Sequence, residues 1–511
     1  MKGYSLETAM KSAMRPRPSR VLPALLAPCI LLLSAASGPS RVAALSLGAT
    51  VKVVPSGPVR TVTPTLLGLN GVNLHGPLWD DGPLDAVLKK FAPGVIRYPG
   101  GTVANYWSWQ NGWFQPGRWP GEPARPVDDR LAVFASAVRA GGSVPMFVLN
   151  TVTYDGAVGS AARDSAMLDQ QLQFLQAAPA QGLPVRLVEL GNELYLNGYS
   201  SSGGPHAQDY ARRFPTAVDY ATQMNAWITA IHRAFPGVQV AAVAADSNDV
   251  QGISQRRRTW NVDMLPVLKG EDALILHENE QVFDGSSPPA TVLAMPYLHF
   301  QKLEAHELTL FRHYKLPVWV TAFNMVDHTA DHAFQGTWLH GLFVAEQALL
   351  YLGEPSIVNV GLDASVGTVE EGSAIFDGAH GFGSGGPPTV PLALTAAGTT
   401  LAMIQAAFRG ASSAQPLSFP SGPTLGTTGA PALIGEELTT KAGPEVILVN
   451  LSSQPVTLDL SAVFPAGRAV TELTAPSITT RVTGPRSTRT TSSSSTGPVQ
   501  VGPYALVDVS G

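Results

Sequence analysis

The sequence contains a single cysteine, Cys29, among its 511 residues, so no disulfide within the chain holds the fold together. Charged residues make up only 14%, and a net charge of −5 provides no positive surface for nucleic acid or an anionic membrane. A phosphate-binding loop and the G-x-S-x-G turn of serine hydrolases are both missing. A chain of this length depends instead on a hydrophobic core, and its composition, 45% hydrophobic and 8% aromatic, is typical of a folded soluble protein.

The first 44 residues have the three parts of a secretory signal. Basic residues precede an apolar run at 21–37, and the small residues "VAA" at 42–44 offer a cleavage site. A membrane anchor is the alternative, but the run is short for a membrane span and is interrupted by Pro23 and Pro28. We therefore expect a secreted, extracellular protein with no membrane contact once residues 1–44 are removed.

Eight short apolar runs alternate with longer segments of helical periodicity, such as "YATQMNAWITAIHRAF". Continuous apolar runs are typical of strands buried on both faces. Eight βα repeats predict an α/β fold of the (β/α)8 TIM barrel type. A doubly wound sheet is the alternative, but no Gly-rich dinucleotide loop follows the first run. The runs span residues 66–74, 94–101, 144–150, 185–193, 238–246, 273–278, 318–324 and 356–362.

The composition changes after a last barrel helix predicted at 395–410. Residues 411–511 are rich in Ser, Thr, Pro and Gly and contain alternating strands, which predicts a C-terminal all-β sandwich domain. Residues 45–65 are strand-like and are expected to join this β-domain, while residues 66–394 form the barrel. The Ser/Thr-rich run at 486–497 predicts a mobile loop.

The fourth apolar run ends in polar residues, "VELGNE", at 188–193. A buried strand that ends in Asn-Glu needs polar partners for both side chains. One explanation is an ordinary strand-to-helix cap. The other is a carboxylic acid, Glu193, that protonates a leaving oxygen, with Asn192 bonded to a sugar hydroxyl. Active sites of (β/α)8 barrels lie at the C-terminal ends of the strands, which favours the acid.

The "VELGNE" motif and "VIRYPGGTVANYWSW" at 95–109 resemble the retaining (β/α)8 glycoside hydrolases with the acid/base on strand four and the nucleophile on strand seven. Within that clan the chain is most similar to the group of heparanase-like β-glucuronidases (family 79) and α-L-arabinofuranosidases (family 51), over roughly residues 50–410. The resemblance implies an oligo- or polysaccharide as partner and leaves the sugar open. We expect neither a cofactor nor a metal.

The resemblance implies roles for individual residues. Glu193 matches the acid/base, Asn192 its partner, and Arg97 an arginine that keeps the nucleophile ionised, although Arg97 could instead pair with a core carboxylate. His277 matches a substrate-site histidine on strand six and could equally be a wall residue. Tryptophans after strand two would stack on sugar rings or cover the barrel mouth. The other candidates for substrate contact are Asn105, Trp107, Trp109, Asn150, Glu278, Trp338 and His340.

Strand seven departs from the family pattern. In "LPVWVTAFN" at 316–324 the position of the attacking glutamate holds Ala322, which cannot form a bond to the sugar. Three accounts follow: a non-catalytic or weakly active homologue that still binds glycan, an enzyme that uses Glu278, Glu280 or Asp327 instead, or a one-base codon change. A non-enzymatic extracellular structural protein is a further alternative, so the sequence leaves enzyme status open.

Two histidines after strand seven, His328 and His332, have a spacing that occurs in metal sites. No third ligand motif stands nearby, which favours a surface loop over a metal site.

Overall fold

The computed structural model describes residues 50–71, 78–118, 129–154, 156, 162–198, 206–247, 253–329, 332–367, 372–376, 378, 390–465 and 467–511. The predicted signal at 1–44 lies outside these ranges. No helix within them combines the length and apolar composition that a membrane crossing requires.

Eight parallel strands close into a barrel in which each strand pairs with its neighbour along the chain, as the sequence predicts. Their residues are almost entirely buried, because helices cover the outside and side chains fill the inside. The strands are β1 (Leu67–Asn70), β2 (Val95–Tyr98), β3 (Val144–Val148), β4 (Leu187–Glu189), β5 (Gln239–Val243), β6 (Ala273–Val282), β7 (Val318–Asp327) and β8 (Ile357–Leu362).

One main helix follows each strand. Capping side chains fix where some of these helices begin. Thr216 and Asp219 form a reciprocal capping box at the start of α4, and Asp81 caps α1. The main helices are α1 (Gly82–Phe91), α2 (Leu131–Gly141), α3 (Arg163–Ala177), α4 (Ala217–Ala234), α5 (Gln255–Met264), α6 (Met295–Leu303), α7 (Trp338–Gly353) and α8 (Ala396–Gly410). Shorter helices span Asp209–Arg213, Pro289–Val292 and Thr309–His313, 3-10 turns span Thr102–Tyr106, Pro179–Gln181 and Pro485–Ser487, and a π-helical turn spans Glu304–Leu308.

Strands β6 and β7 run past the predicted ends of their apolar runs and stay paired as far as Val282 and Asp327. Within this pair Leu276 opposes Val320 and His277 opposes Ala322, so Thr321 is an extra residue on β7. Such a β-bulge bends the strand and changes the direction of nearby side chains, and bulges are common beside active sites. The bulge therefore lies at the position where the sequence departs from the family pattern.

The C-terminal part forms the predicted β-sandwich. Its larger sheet contains Val54–Pro55, Arg60–Thr61, Ala411–Ser418, Leu433–Thr440, Gly443–Asn450, Arg468–Thr474, Arg489–Ser495 and Ala505–Ser510, and its smaller sheet contains Thr50–Lys52, Val456–Asp459 and Val499–Val501. Three short strands, Val366–Gly367, Ile375–Phe376 and Ala393–Leu394, form a separate small sheet, and Trp107–Ser108 pairs with Trp113–Phe114. The prediction of a mobile loop at 486–497 is wrong, because Arg489–Ser495 is a strand that pairs with Arg468–Thr474.

The sandwich packs against the barrel through α7 and α8. The Trp338 indole donates to the Tyr504 carbonyl at 2.7 Å, and Arg60 donates from its guanidinium to the carbonyls of Leu352 and Ile357, each at 2.8 Å. Strands within residues 50–61 pair with strands from residue 411 onward. The sandwich is therefore built from the chain segments that precede and follow the barrel in sequence.

Candidate active site

Glu193 lies in a tight turn four residues beyond the end of β4, rather than on the strand itself. Its φ of +49° is uncommon for a residue other than glycine, and such positions occur often at functional sites. Gly191, with φ +95°, makes the turn possible, since a Cβ there would lie 2.6 Å from Thr151 Oγ1. The side chain of Glu193 is 23% exposed, so its carboxylate is accessible at the C-terminal face of the barrel.

Asn105 holds this turn in place. Its amide Nδ2 donates to the Asn192 carbonyl at 2.8 Å, and its Oδ1 accepts from the Asn192 backbone N–H at 3.2 Å. Asn192 in turn donates from Nδ2 to Glu193 Oε2 at 3.3 Å. Asn105 is completely buried, which places it as a support for the turn.

Arg97 makes a buried ion pair with Glu189, the last residue of β4. Its Nε and Nη2 lie 2.8 and 2.6 Å from Glu189 Oε2, while Nη1 donates to Asn70 Oδ1 at 3.2 Å and Nη2 to Asn192 Oδ1 at 2.9 Å. The alternative in which Arg97 pairs with a core carboxylate is therefore the arrangement observed. Arg97 also holds the Asn192 amide in the orientation that meets Glu193.

His277 connects β6 to both Glu193 and β7. Its Nδ1 lies 3.1 Å from Glu193 Oε1, and its Nε2 lies 3.3 Å from Thr321 Oγ1 on the bulge. Ala322 is the cross-strand partner of His277 and is only 3% exposed. His277 thus lies between Glu193 and Ala322 at one side of the barrel mouth.

The surroundings of Glu193 favour its ionised form. Burial alone would raise the pKa, but the hydrogen bond and charge of His277, with the charges of Arg257 and Arg97, outweigh it and lower the pKa below its ordinary value. In a retaining glycosidase the acid/base carries a raised pKa, and a nearby ionised nucleophile is one source of the shift. Alanine at 322 supplies no such charge.

The three proposed substitute carboxylates contact other parts of the chain. Glu278 lies 2.6 Å from His299 on α6, and Glu280 accepts from the Gln347 amide on α7 at 2.9 Å. Both residues differ from His277 by an odd number of positions, so they point to the opposite face of β6. Burial and the charge of Asp246 raise the pKa of Glu278 to about 8.

The third substitute, Asp327, stabilises a loop. Its Oδ1 accepts from the Thr329 backbone at 2.9 Å, and its Oδ2 accepts from Phe334 and Gln335 at 2.8 and 3.1 Å. Burial opposes ionisation of this carboxyl, but these hydrogen bonds outweigh burial and lower its pKa.

A carboxylate that sequence reasoning missed, Asp363, follows β8. Its Oδ1 accepts from the Asn70 amide at 2.6 Å, and Asn70 accepts from Arg97. A continuous chain of hydrogen bonds therefore runs from Asp363 through Asn70, Arg97 and Asn192 to Glu193. The polar end of "VGLD" after an apolar run was the available signal, equivalent to the one that identified Glu193.

Trp107 and Trp109, in the segment after β2, pack against other aromatic rings of the chain. Trp107 is only 4% exposed and packs against Tyr98, Trp113 and Phe114, with ring centroids 5.8 to 6.3 Å apart. Trp109 is partly buried and stacks on Phe174 at 6.0 Å. Trp107 therefore has no open ring face for stacking on a sugar.

The remaining candidates are held by other protein groups. Asn150 uses its side chain to bond Trp107, Val152 and Thr153 in the loop after β3. Trp338 is fully buried at the contact with the sandwich.

His340 is also fully buried and fixes the end of β7. Its Nδ1 accepts from the Gly336 N–H at 3.2 Å, so Nε2 carries the proton and donates to Asn324 Oδ1 at 2.8 Å. Burial lowers its pKa to about 4, so the imidazole is neutral at pH 7. His340 therefore orients the strand that carries Ala322.

Neither a protein-family model nor a curated protein sequence matches the chain. Solved structures do match it. An α-L-arabinofuranosidase from Thermotoga maritima is 16% identical with a TM-score of 0.66, and the family 51 arabinofuranosidase of Xanthomonas axonopodis pv. citri is 17% identical with the same score; each match covers 90% of this chain and 99% of the other. A 4-O-α-L-rhamnosyl-β-D-glucuronidase from Fusarium oxysporum is 13% identical with a TM-score of 0.58, over 90% of this chain and 100% of that one. At these identities the likeness shows the fold, and at that level the predicted resemblance to the glycoside hydrolase clan is confirmed.

Proposed function

We propose that the chain is a secreted carbohydrate-binding homologue of retaining glycosidases that hydrolyses glycosides very weakly or not at all. The observation that carries this proposal is the pairing of an intact acid/base turn around Glu193 with alanine at 322, the cross-strand neighbour of the histidine that contacts Glu193. A retaining reaction needs a second carboxylate about 5–5.5 Å from the first. Without it the rate falls by several orders of magnitude.

The groups around Glu193 favour a glycoside as the ligand. The turn is fixed by Asn105 and Arg97, so its carboxylate and amide are oriented before any ligand arrives. Such preorganised polar groups beside buried aromatic rings suit sugar hydroxyls. The solved proteins of the same fold include arabinofuranosidases and a rhamnosyl-glucuronidase. We infer a plant or matrix polysaccharide, or a glycoside released from one, as the ligand.

A second candidate is an active enzyme with another carboxylate as base. Asp363 favours it, because this group is hydrogen-bonded to the network that ends at Glu193. In an eight-stranded barrel β8 lies across from β4, and an inverting reaction uses carboxylates about 6.5–9.5 Å apart. Glu278 and Glu280 are less suited, because their carboxylates contact the outer helices.

The two candidates are separated by measuring binding and turnover together. The protein lacking residues 1–44 is tested for binding to arabinan, xylan and glucuronate-bearing polysaccharides, and for hydrolysis of aryl arabinofuranosides, xylosides and β-glucuronides. We expect binding that Glu193→Gln weakens, with turnover close to background. Turnover that Asp363→Asn abolishes and Ala322→Gly leaves unchanged would establish the second candidate. Absence of binding to every polysaccharide and glycoside would refute the first.

A further inference from the structure

A buried group of three metal-ligating side chains lies behind β6, on the side away from Glu193. Asp246 follows β5, Glu278 lies on β6, and His299 lies on α6. Each offers one ligand atom, and these atoms all lie within 4.8 Å of one another. All three residues are buried, with exposures of 6, 1 and 7%. In the part of the chain that the structure describes, no other group of this kind occurs.

The hydrogen bonding of Glu278 is incomplete. Its Oε2 lies 2.6 Å from His299 Nε2, whereas its Oε1 is buried without any hydrogen-bond partner. A buried carboxylate oxygen left without a partner is costly. The nearby carboxylate of Asp246 adds like charge, and its own contact with the Arg257 guanidinium is long, at 3.4 Å. A cation at this place would satisfy the unpaired oxygen and balance the two carboxylates.

We propose that Asp246, Glu278 and His299 bind one divalent first-row transition ion, such as Zn²⁺ or Mn²⁺. Two carboxylates and one imidazole are ligands that these ions accept, whereas Ca²⁺ and Mg²⁺ prefer oxygen ligands alone. The ion would replace the hydrogen bond between Glu278 and His299, because both side chains must be deprotonated to bind it. Three protein ligands leave at least one position for water.

The ion would join three elements of the barrel wall. It ties the end of β5 to β6 and to α6, next to the π-helical turn at Glu304–Leu308. Glu278 follows His277 directly in the chain, so the same strand carries an ion ligand on one face and the partner of Glu193 on the other. The proposal does not depend on whether Glu193 acts on a sugar, and it departs from the expectation that no metal is bound.

The test measures metal content and affinity on the full mature chain with any histidine tag removed. After treatment with a chelator, the protein is titrated with Zn²⁺, Mn²⁺, Mg²⁺ or Ca²⁺ by calorimetry, and its metal content is read by mass spectrometry after dialysis. We expect one Zn²⁺ or Mn²⁺ per chain, and a Tm that rises by about 2 °C or more when the ion is in large excess over Kd.

Substitutions of the proposed ligands test which side chains bind the ion. We expect Glu278→Gln and His299→Ala each to weaken binding by about tenfold or more. The matched control is His328→Ala, since His328 is an exposed histidine outside the group, and this variant should bind as the wild type does. Wild-type protein that binds no ion, or a loss of binding in His328→Ala alone, would overturn the proposal. If the two site variants fail to fold, anomalous scattering from a Zn²⁺-soaked wild-type crystal decides, because a peak elsewhere refutes the site.

Discussion

Replacing Ala322 by glutamate tests whether this position is where a nucleophile would act. The His277–Glu193 contact of 3.1 Å and a strand spacing of about 4.8 Å place the new carboxylate about 5–8 Å from Glu193. At an effective dielectric constant of about 20 the repulsion is about 2–3 kcal/mol, which raises the pKa of Glu193 above its value beside alanine. Glu193 would then hold its proton at a higher pH, as an acid catalyst must.

The assay is the pH dependence of kcat/KM on aryl arabinofuranosides, xylosides and β-glucuronides. We expect Ala322→Glu to gain turnover on at least one substrate, with kcat/KM falling on the basic side as Glu193 loses its proton. Ala322→Gln is the matched control, since it adds the same volume without charge and should stay inactive. A folded Ala322→Glu protein that is no more active than Ala322→Gln on all three substrates would refute the assignment of this position.

Three further predictions concern the supports of the site. Arg97→Met leaves the Glu189 carboxylate buried and unpaired, so the free energy of unfolding should fall by about 3–5 kcal/mol in urea titrations, and a loss below about 1 kcal/mol would contradict the buried ion pair. Asn105→Ala removes two hydrogen bonds to the Asn192 backbone and should cost about 2 kcal/mol in the same measurement while weakening glycan binding; unchanged binding would show that the turn is held by other contacts. Because the pKa of Glu193 is lowered in the folded state, its stabilising effect is present above the unfolded pKa and is lost as pH falls through the folded pKa. The stability advantage of wild type over Glu193→Gln, followed by thermal unfolding from pH 6 to pH 3, should therefore shrink toward low pH, and an advantage that grows would contradict the lowered pKa.

The barrel was predictable because each strand is a continuous apolar run, and this pattern survives without any knowledge of long-range contacts. The ends of β6 and β7 were not predictable. Residues 279–282 and 325–327 are partly polar, and they are strands only because each pairs with the other. The run Arg489–Ser495 has the composition of a loop, but its backbone hydrogen bonds to Arg468–Thr474 make it a strand.

The candidate site was predictable where the signal was local. Glu193 was located by the polar tip of its strand, and Ala322 by the resemblance of strand seven to the family pattern. The pairing of Arg97 with Glu189 joins β2 to β4 and depends on barrel geometry, which the spacing along the chain does not encode. The opposite faces of His277 and Glu278 follow from strand alternation, but the sequence pattern alone did not show which face was the inner one.

The pairing of Thr50–Lys52 with Val456–Asp459 has a consequence for biosynthesis. During synthesis Thr50–Lys52 is made long before its partner strand. Its backbone groups therefore stay unpaired with that strand until the entire barrel has been synthesised. Contacts of such high sequence separation slow folding and expose unpaired strand edges in the meantime. The small sheet of the sandwich can therefore form only after Val499–Val501 has been made, when the whole barrel has already been synthesised.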